Sequence, residues 1–131
     1  MRRSIDLKGS ILSSITVGEC ELVMSFIRAM VVERPSDQSG GPAVRSTRRL
    51  DLKIMKPGLT TVLNRLPSQI TGGRILLREA SFNDAVPLPL VHLGPTEFKC
   101  HTENDECVRV TGSGAVVVFL NEPEDDAAAE D

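Results

Sequence analysis

The residue types that most often do chemistry are few in this chain, and their spacing fits neither catalysis nor metal binding. The only histidines are His92 and His101, which form no HxxxH pair, and the three cysteines include no CxxC pair, so no zinc pattern is present. Ser113 lies between two glycines, but a nucleophile elbow requires GxSxG before a helix, and a valine run follows here. We therefore expect a protein that is not an enzyme and that carries no metal or other cofactor.

The strongest chemical signal is charge, which is divided unevenly along the chain. Residues 1–78 carry 13 Lys and Arg against 6 Asp and Glu, a net of +7, whereas residues 79–131 carry 2 against 12, a net of −10. After the last apolar run come six acidic residues: Glu122, Glu124, Asp125, Asp126, Glu130 and Asp131. Like charges this dense, separated only by Pro and Ala, predict a solvated, disordered tail that binds a basic partner.

A second candidate surface consists of Arg45, Arg48 and Arg49. These arginines flank the far end of residues 34–47, where two prolines, two glycines and three serines predict a flexible loop. No aromatic residue is interleaved with them, although base stacking usually requires one, which argues against nucleic-acid binding. The arginines are therefore expected either to contact a protein partner or to be shielded by the acidic tail.

Short strands separated by Gly and Pro predict the elements that must position these charges. Arg49–Ile54 alternates apolar and polar residues, which is typical of a half-buried strand. Ala115–Leu120 is a continuous valine-rich run and predicts a buried central strand, preceded by a turn or bulge at Gly112–Gly114. Prolines alternate with Val86, Leu88 and Leu90 and predict an edge position. The expected fold is mainly β, an antiparallel sandwich or barrel.

Several segments leave the local structure open. Cys20–Glu33 fits a strand face and a helix stripe equally well, and the neighbouring strand signals favour the strand. The apolar residues of Leu59–Leu66 fall at helical spacing, which predicts either a two-turn helix or a strand pair broken at Asn64. Interruptions or turns are expected at three dipeptides: Gly9-Ser10, Gly72-Gly73 and Gly94-Pro95.

Length and composition fit a single domain. The chain has 131 residues, is 40% hydrophobic and lacks Trp and Tyr, so its core must be aliphatic. We assign residues 1–121 to a β-sandwich core with the flexible loop 34–47, and residues 122–131 to the disordered tail. No apolar run approaches 18 residues, the basic N-terminus is a poor signal peptide, and the odd cysteine count fits a reducing compartment.

Four features, in order along the chain, resemble the core domain of the nucleoplasmin family. Gly18–Leu22 (GECEL) is similar to the family's GCEL strand with one residue inserted, and Val86-Pro87-Leu88 is similar to its VPIATL strand. Val108-Arg109-Val110, followed by Gly112-Ser113-Gly114 and a valine strand, resembles its FRL…GSGPV signature. An acidic tract then follows, as in that family, so the resemblance spans residues 18–131.

The resemblance implies an eight-stranded jelly roll, assembly into a pentamer, a nuclear location and histone chaperoning. Acidic tails and loops would then screen the positive charge of histones, which is an electrostatic and salt-sensitive task. The alternative is a small viral or host-modulating interaction protein with a β-sandwich fold, located in the nucleus or the cytoplasm. The first hypothesis predicts a ring-sized homo-oligomer that binds histones, and the second predicts a monomer or dimer with one specific partner.

Overall fold

A computed structural model describes residues 2–34, 43–58 and 65–120. Within these ranges 81% of the residues are in strands, and none is helical. Consequently, the described part of the chain has no helix long and apolar enough to span a membrane. The eight strands are β1 (Arg2–Val17), β2 (Glu21–Arg34), β3 (Val44–Met55), β4 (Ser68–Leu77), β5 (Ala80–Asn83), β6 (Ala85–Leu88), β7 (Val91–Thr102) and β8 (Cys107–Phe119).

The strands form one antiparallel sheet that closes into a barrel. Their order is β5-β4-β7-β8-β3-β2-β1-β6, and a further pairing of β4 with β1 closes a six-stranded ring. Strands β5 and β6 lie outside this ring, paired to β4 and β1 respectively. The proline-containing β6 is thus at an edge of the sheet, as predicted, because proline cannot donate to a second neighbour.

Strand β1 runs through the expected break at Gly9-Ser10. Gly9 adopts a positive φ of 92°, and the pairing with β2 shifts register between Asp6 and Ile11. The buried Ser10 hydroxyl donates to the Asp6 carbonyl at 2.8 Å and accepts from the Met30 amide at 3.0 Å. A bulge held in this way bends the strand without ending it, so β1 pairs with β6 before the bulge and with β4 after it.

The core is mostly aliphatic, as the composition predicts, with the two phenylalanines Phe26 and Phe98 among its buried side chains. Leu22, Met24 and Phe26 of β2 are buried, which confirms the strand interpretation of Cys20–Glu33. Leu50, Leu52 and Ile54 of β3 are buried as well, which confirms the alternation of Arg49–Ile54. Fully buried side chains from the other strands complete the core, including Ile5, Leu7, Leu12, Ile70, Ile75, Val86, Phe98, Val108 and Val110.

The sequence predicts burial of Val116, Val118 and Leu120, of the opposite set Val117 and Phe119, or of both sets. The structure supports the second set, because Val117 and Phe119 are partly buried and pack against the core. β8 does lie between β7 and β3, but only Ala115 of this run is buried; Val118 is 37% exposed and Leu120 is 50% exposed. A barrel strand faces the core on one side only, so alternate residues of even an all-valine run reach its outer surface. The buried part of β8 is instead its first half, at Val108 and Val110.

Other expected breaks lie inside strands. Gly72-Gly73 and Gly94-Pro95 occur within β4 and β7, each next to a register shift. Gly112–Gly114 continues β8, and glycine is required there by close packing: a Cβ on Gly112 would lie 2.5 Å from the Met55 carbonyl oxygen. The loop prediction for residues 34–47 is wrong at both ends, because Arg34 belongs to β2 and Val44 begins β3. The helix or strand pair expected at Leu59–Leu66 lies largely outside the described residues.

Candidate functional site

One end of the barrel collects arginines from two strands, a glutamate from a third and an aromatic ring from a fourth. Antiparallel pairing brings together the start of β1, the end of β2, the start of β3 and the end of β8. The register sets Arg3 opposite Glu33, Arg48 opposite Ala29 and Phe119 opposite Leu50. We refer to this site as the arginine end, and its members are Arg3, Glu33, Arg45, Arg48, Arg49 and Phe119.

Two of these arginines face the barrel interior. Successive residues of a strand point to opposite faces, and Arg48 therefore shares a face with the buried Leu50. By the same alternation, Arg3 shares a face with the buried Ile5. Phe119 is partly buried and packs against the core. The hydrophobic interior thus ends in two guanidinium groups and one aromatic ring.

Both guanidinium groups contact the ring of Phe119. The Arg48 Cζ lies 4.2 Å from the ring centroid and the Arg3 Cζ lies 5.5 Å from it, within the range of about 6 Å for a cation–π interaction. The carboxylate of Glu33 is 3.4 Å from the Arg3 Nε. That nitrogen is shielded from solvent and has no hydrogen-bond partner among the described residues. Of the two cations on this ring, Arg3 is thus the one that forms an ion pair with Glu33.

The remaining arginines lie on the outer face. Arg45 Nη1 is 3.6 Å from Asp6 Oδ2, in an ion pair that reaches across β2 beside Val32. Val32 points outward but is only 1% exposed. The Arg45 side chain is 56% exposed, so solvent screens this ion pair. Its contribution to the free energy of unfolding is at most about a few tenths of a kcal/mol, at the low end for surface pairs. The Arg49 carbonyl accepts a hydrogen bond of 2.8 Å from the Leu120 amide.

The three arginines singled out in the sequence therefore do not form one patch. Arg45 and Arg49 face outward and Arg48 faces inward, because positions of odd and even number alternate along β3. The structure adds Arg3, which the sequence reading missed. The available signal was its spacing from Ile5, two residues away on the same face of a predicted strand. The six acidic tail residues lie outside the described residues.

The other chemically capable residues are not brought together. Among the described residues, no group of three or more His, Cys, Asp and Glu side chains could hold a metal. Burial, together with the neighbouring Cys107, raises the pKa of the Cys100 thiol to about 12, which makes it a poor nucleophile at neutral pH. The His92 Nε2 lies 3.3 Å from the Pro95 carbonyl oxygen.

No protein-family model, curated protein or solved structure matches this chain. Function is therefore inferred from the charges and contacts of the chain itself.

Proposed function

We propose that this protein is a non-catalytic binding module that resembles a histone chaperone and acts in the nucleus. Its ligand is a basic protein such as a histone, and the binding segment is the acidic tail of residues 122–131. The sequence supports this because six carboxylates lie within residues 122–131, whereas the whole chain has a net charge of only −3. Such binding screens the charge of the partner and weakens with added salt.

The observation that carries this proposal is the point at which the tail begins. The hydrogen bond from Leu120 to Arg49 continues the pairing of β8 with β3 beyond Phe119. Glu122 follows two residues later in the sequence, and two residues of chain span at most about 7 Å. Leu120, the last described residue before the tail, therefore lies beside Arg49 of the arginine end.

This placement gives the tail two competing cations. Tethering raises the effective concentration of the outward-facing Arg45 and Arg49 around the tail, so a basic partner competes with these two arginines for the tail carboxylates. Histones carry many more cationic groups than these arginines do. A histone therefore displaces the arginines when several of its cationic groups bind the tail at once. The arginine end then sets a threshold that excludes weakly basic proteins.

The same proposal includes assembly into a homo-oligomer, which would be a pentamer if the resemblance to the nucleoplasmin family holds. It also includes a flattened barrel whose two layers pack as in a sandwich or jelly roll. Exposed apolar residues on the outer face of β7 and β8 support the assembly: Val91 is 75% exposed and Leu93 is 79% exposed. Val91 pairs with Val116, and Val118 and Leu120 continue the apolar surface along β8. Side chains of this size at such exposure mark an interaction surface.

A second candidate, a host-modulating interaction protein with one specific partner, is supported by the same apolar surface. In that case a different protein covers Val91 and Leu93, and the chain by itself is a monomer or dimer. Size in solution separates the two candidates, because a ring-sized particle supports the chaperone and a monomer with high affinity for a single partner supports the alternative.

Deletion of residues 122–131 tests the proposed function. The full chain should bind a histone dimer with an affinity that falls steeply as salt is added, and the deletion should weaken that binding at least about tenfold. A full-length variant with the six tail carboxylates changed to amides is the matched control, since it keeps the chain length and removes only charge. If the intact protein does not bind histones, and the deletion uncovers binding to polyanions, the tail shields the arginine end and the proposal is wrong.

A further inference from the structure

A polar pocket of about 370 Å³ lies on the outer face of the barrel, where β4, β5 and β7 adjoin. It shares no residue with the arginine end, and its character is basic. Phe98 and Cys100 of β7 are buried in the core, so the residues between and after them face outward. The pocket is lined by Gly72, Gly73, Arg74, Asn83, Asp84, Lys99 and His101.

Cations occupy directly opposed positions in this part of the sheet. Lys99 of β7 pairs with Arg74 on one side and with Arg109 on the other. Opposed residues of antiparallel strands have Cβ atoms about 4.5–5.5 Å apart, and like charges at such positions destabilise the sheet. Three cations in one row therefore require nearby negative charge.

Among the described residues, only one of the three forms an ion pair. Arg109 Nε is 2.9 Å from Glu97 Oε2. The other carboxylate nearby, Asp84, is 3.6 Å from the Lys8 ammonium and accepts a hydrogen bond of 3.0 Å from the Gly73 amide. None of the ion pairs in the described part of the chain includes Arg74 or Lys99. Among the described residues, therefore, neither of these two cations forms an ion pair, although the carboxylate of Asp84 lines the same pocket.

The pocket floor is bare backbone. A Cβ on Gly73 would lie 2.5 Å from the Lys99 carbonyl oxygen, so β4 approaches β7 closely here, and one on Gly72 would lie 3.1 Å from Asp84 Oδ1, which places the Asp84 carboxylate beside the Gly72 backbone. Asn83 lies opposite Arg74, and His101 lies opposite Gly72. Their side chains add an amide donor and an imidazole to the guanidinium and ammonium groups.

We propose that this pocket binds phosphate, either free or as the phosphate group of a small ester. A phosphate carries a charge of about −1.5 to −2 at neutral pH and offers three acceptor oxygens, which matches two cations that form no ion pair in the described part of the chain. The guanidinium group of Arg74 can donate two parallel hydrogen bonds to such an oxyanion. The volume of about 370 Å³ is in the range of small-molecule sites, which leaves room for an ester body.

Titration with inorganic phosphate at constant ionic strength, followed through the backbone amide NMR signals, tests the site. Saturable shifts should be centred on Gly72, Gly73 and Lys99. In the double variant Arg74→Gln/Lys99→Gln, the apparent Kd should weaken at least about tenfold. The control is Arg28→Gln, which removes an exposed cation of β2 outside the pocket and should leave the Kd unchanged.

The double variant should fold, because it removes two opposed like charges, and an unchanged amide spectrum away from the pocket verifies this. Equal phosphate affinity in the double variant and the wild type, or the absence of saturable shifts in the wild type, would overturn the proposal. A parallel titration with ribose 5-phosphate identifies the source of the anion. Tighter binding of the ester than of inorganic phosphate assigns the site to a phosphorylated small molecule, and equal binding assigns it to free phosphate. This site is independent of the tail, so histone binding should not depend on it.

Discussion

The contact of Arg48 with Phe119 can be measured as a coupling energy. Its distance of 4.2 Å to the ring centroid is short for a cation–π interaction, and both side chains are half-buried at the end of the core. Such contacts contribute about 0.5–1 kcal/mol at exposed sites and about 2 kcal/mol when desolvated. We therefore expect a coupling of about 1 kcal/mol, and a smaller value for Arg3 at 5.5 Å.

The assay is a double-mutant cycle read by urea unfolding. Arg48→Met keeps the length of the side chain and removes its charge, and Phe119→Leu removes the ring but keeps an apolar group. Arg49→Met, on the outer face of the same strand, provides the matched control and should show a coupling with Phe119→Leu near zero. Sites that do not interact add within about 0.3–0.5 kcal/mol, so an Arg48–Phe119 coupling below that limit refutes the assignment of Phe119 as the aromatic base of the arginine end.

Three further outcomes follow from burial and packing. Val110→Asp places an unpaired charge at a fully buried position and should abolish folding. Val118→Asp, at a side chain 37% exposed, should leave a folded protomer, and circular dichroism spectra compare the two variants. Gly112→Ala forces a Cβ to within 2.5 Å of the Ile54 Cγ2 and the Met55 carbonyl oxygen and should cost about 1–3 kcal/mol in urea unfolding. Because the pKa of Cys100 is raised from 9.0 to about 12 in the folded state, the free energy of unfolding should fall as pH rises through that interval. The Cys100→Ala variant should lack this pH dependence. Faster alkylation of Cys100 than of the exposed Cys20 in the native protein would contradict the burial of Cys100.

The sequence by itself was sufficient to predict a mainly β fold with an aliphatic core. Alternation in Arg49–Ile54 identified the buried residues of β3 correctly, because the period of a strand is visible in the chain without any knowledge of its neighbours. The prolines of β6 indicated an edge for an equally local reason, the missing amide donor. The division of charge into a basic and an acidic part is likewise a property of the sequence alone.

Only the tertiary structure decided which side of each strand faces the core and which charges meet. Glycines that read as breaks at Gly9, Gly72 and Gly112 lie inside long strands, because bulges and close backbone contacts with neighbouring strands use glycine just as turns do. Apolar residues occupy both faces of the second half of β8, so the sequence does not indicate which face is buried. Closure of the barrel decides this, and it leaves Val118 on the outer face. The juxtaposition of Arg3, Arg48 and Phe119, and the opposition of Arg74 and Lys99, depend on pairing between residues far apart in the chain. Register between distant strands is fixed by the packing of the whole core, and no local pattern encodes it.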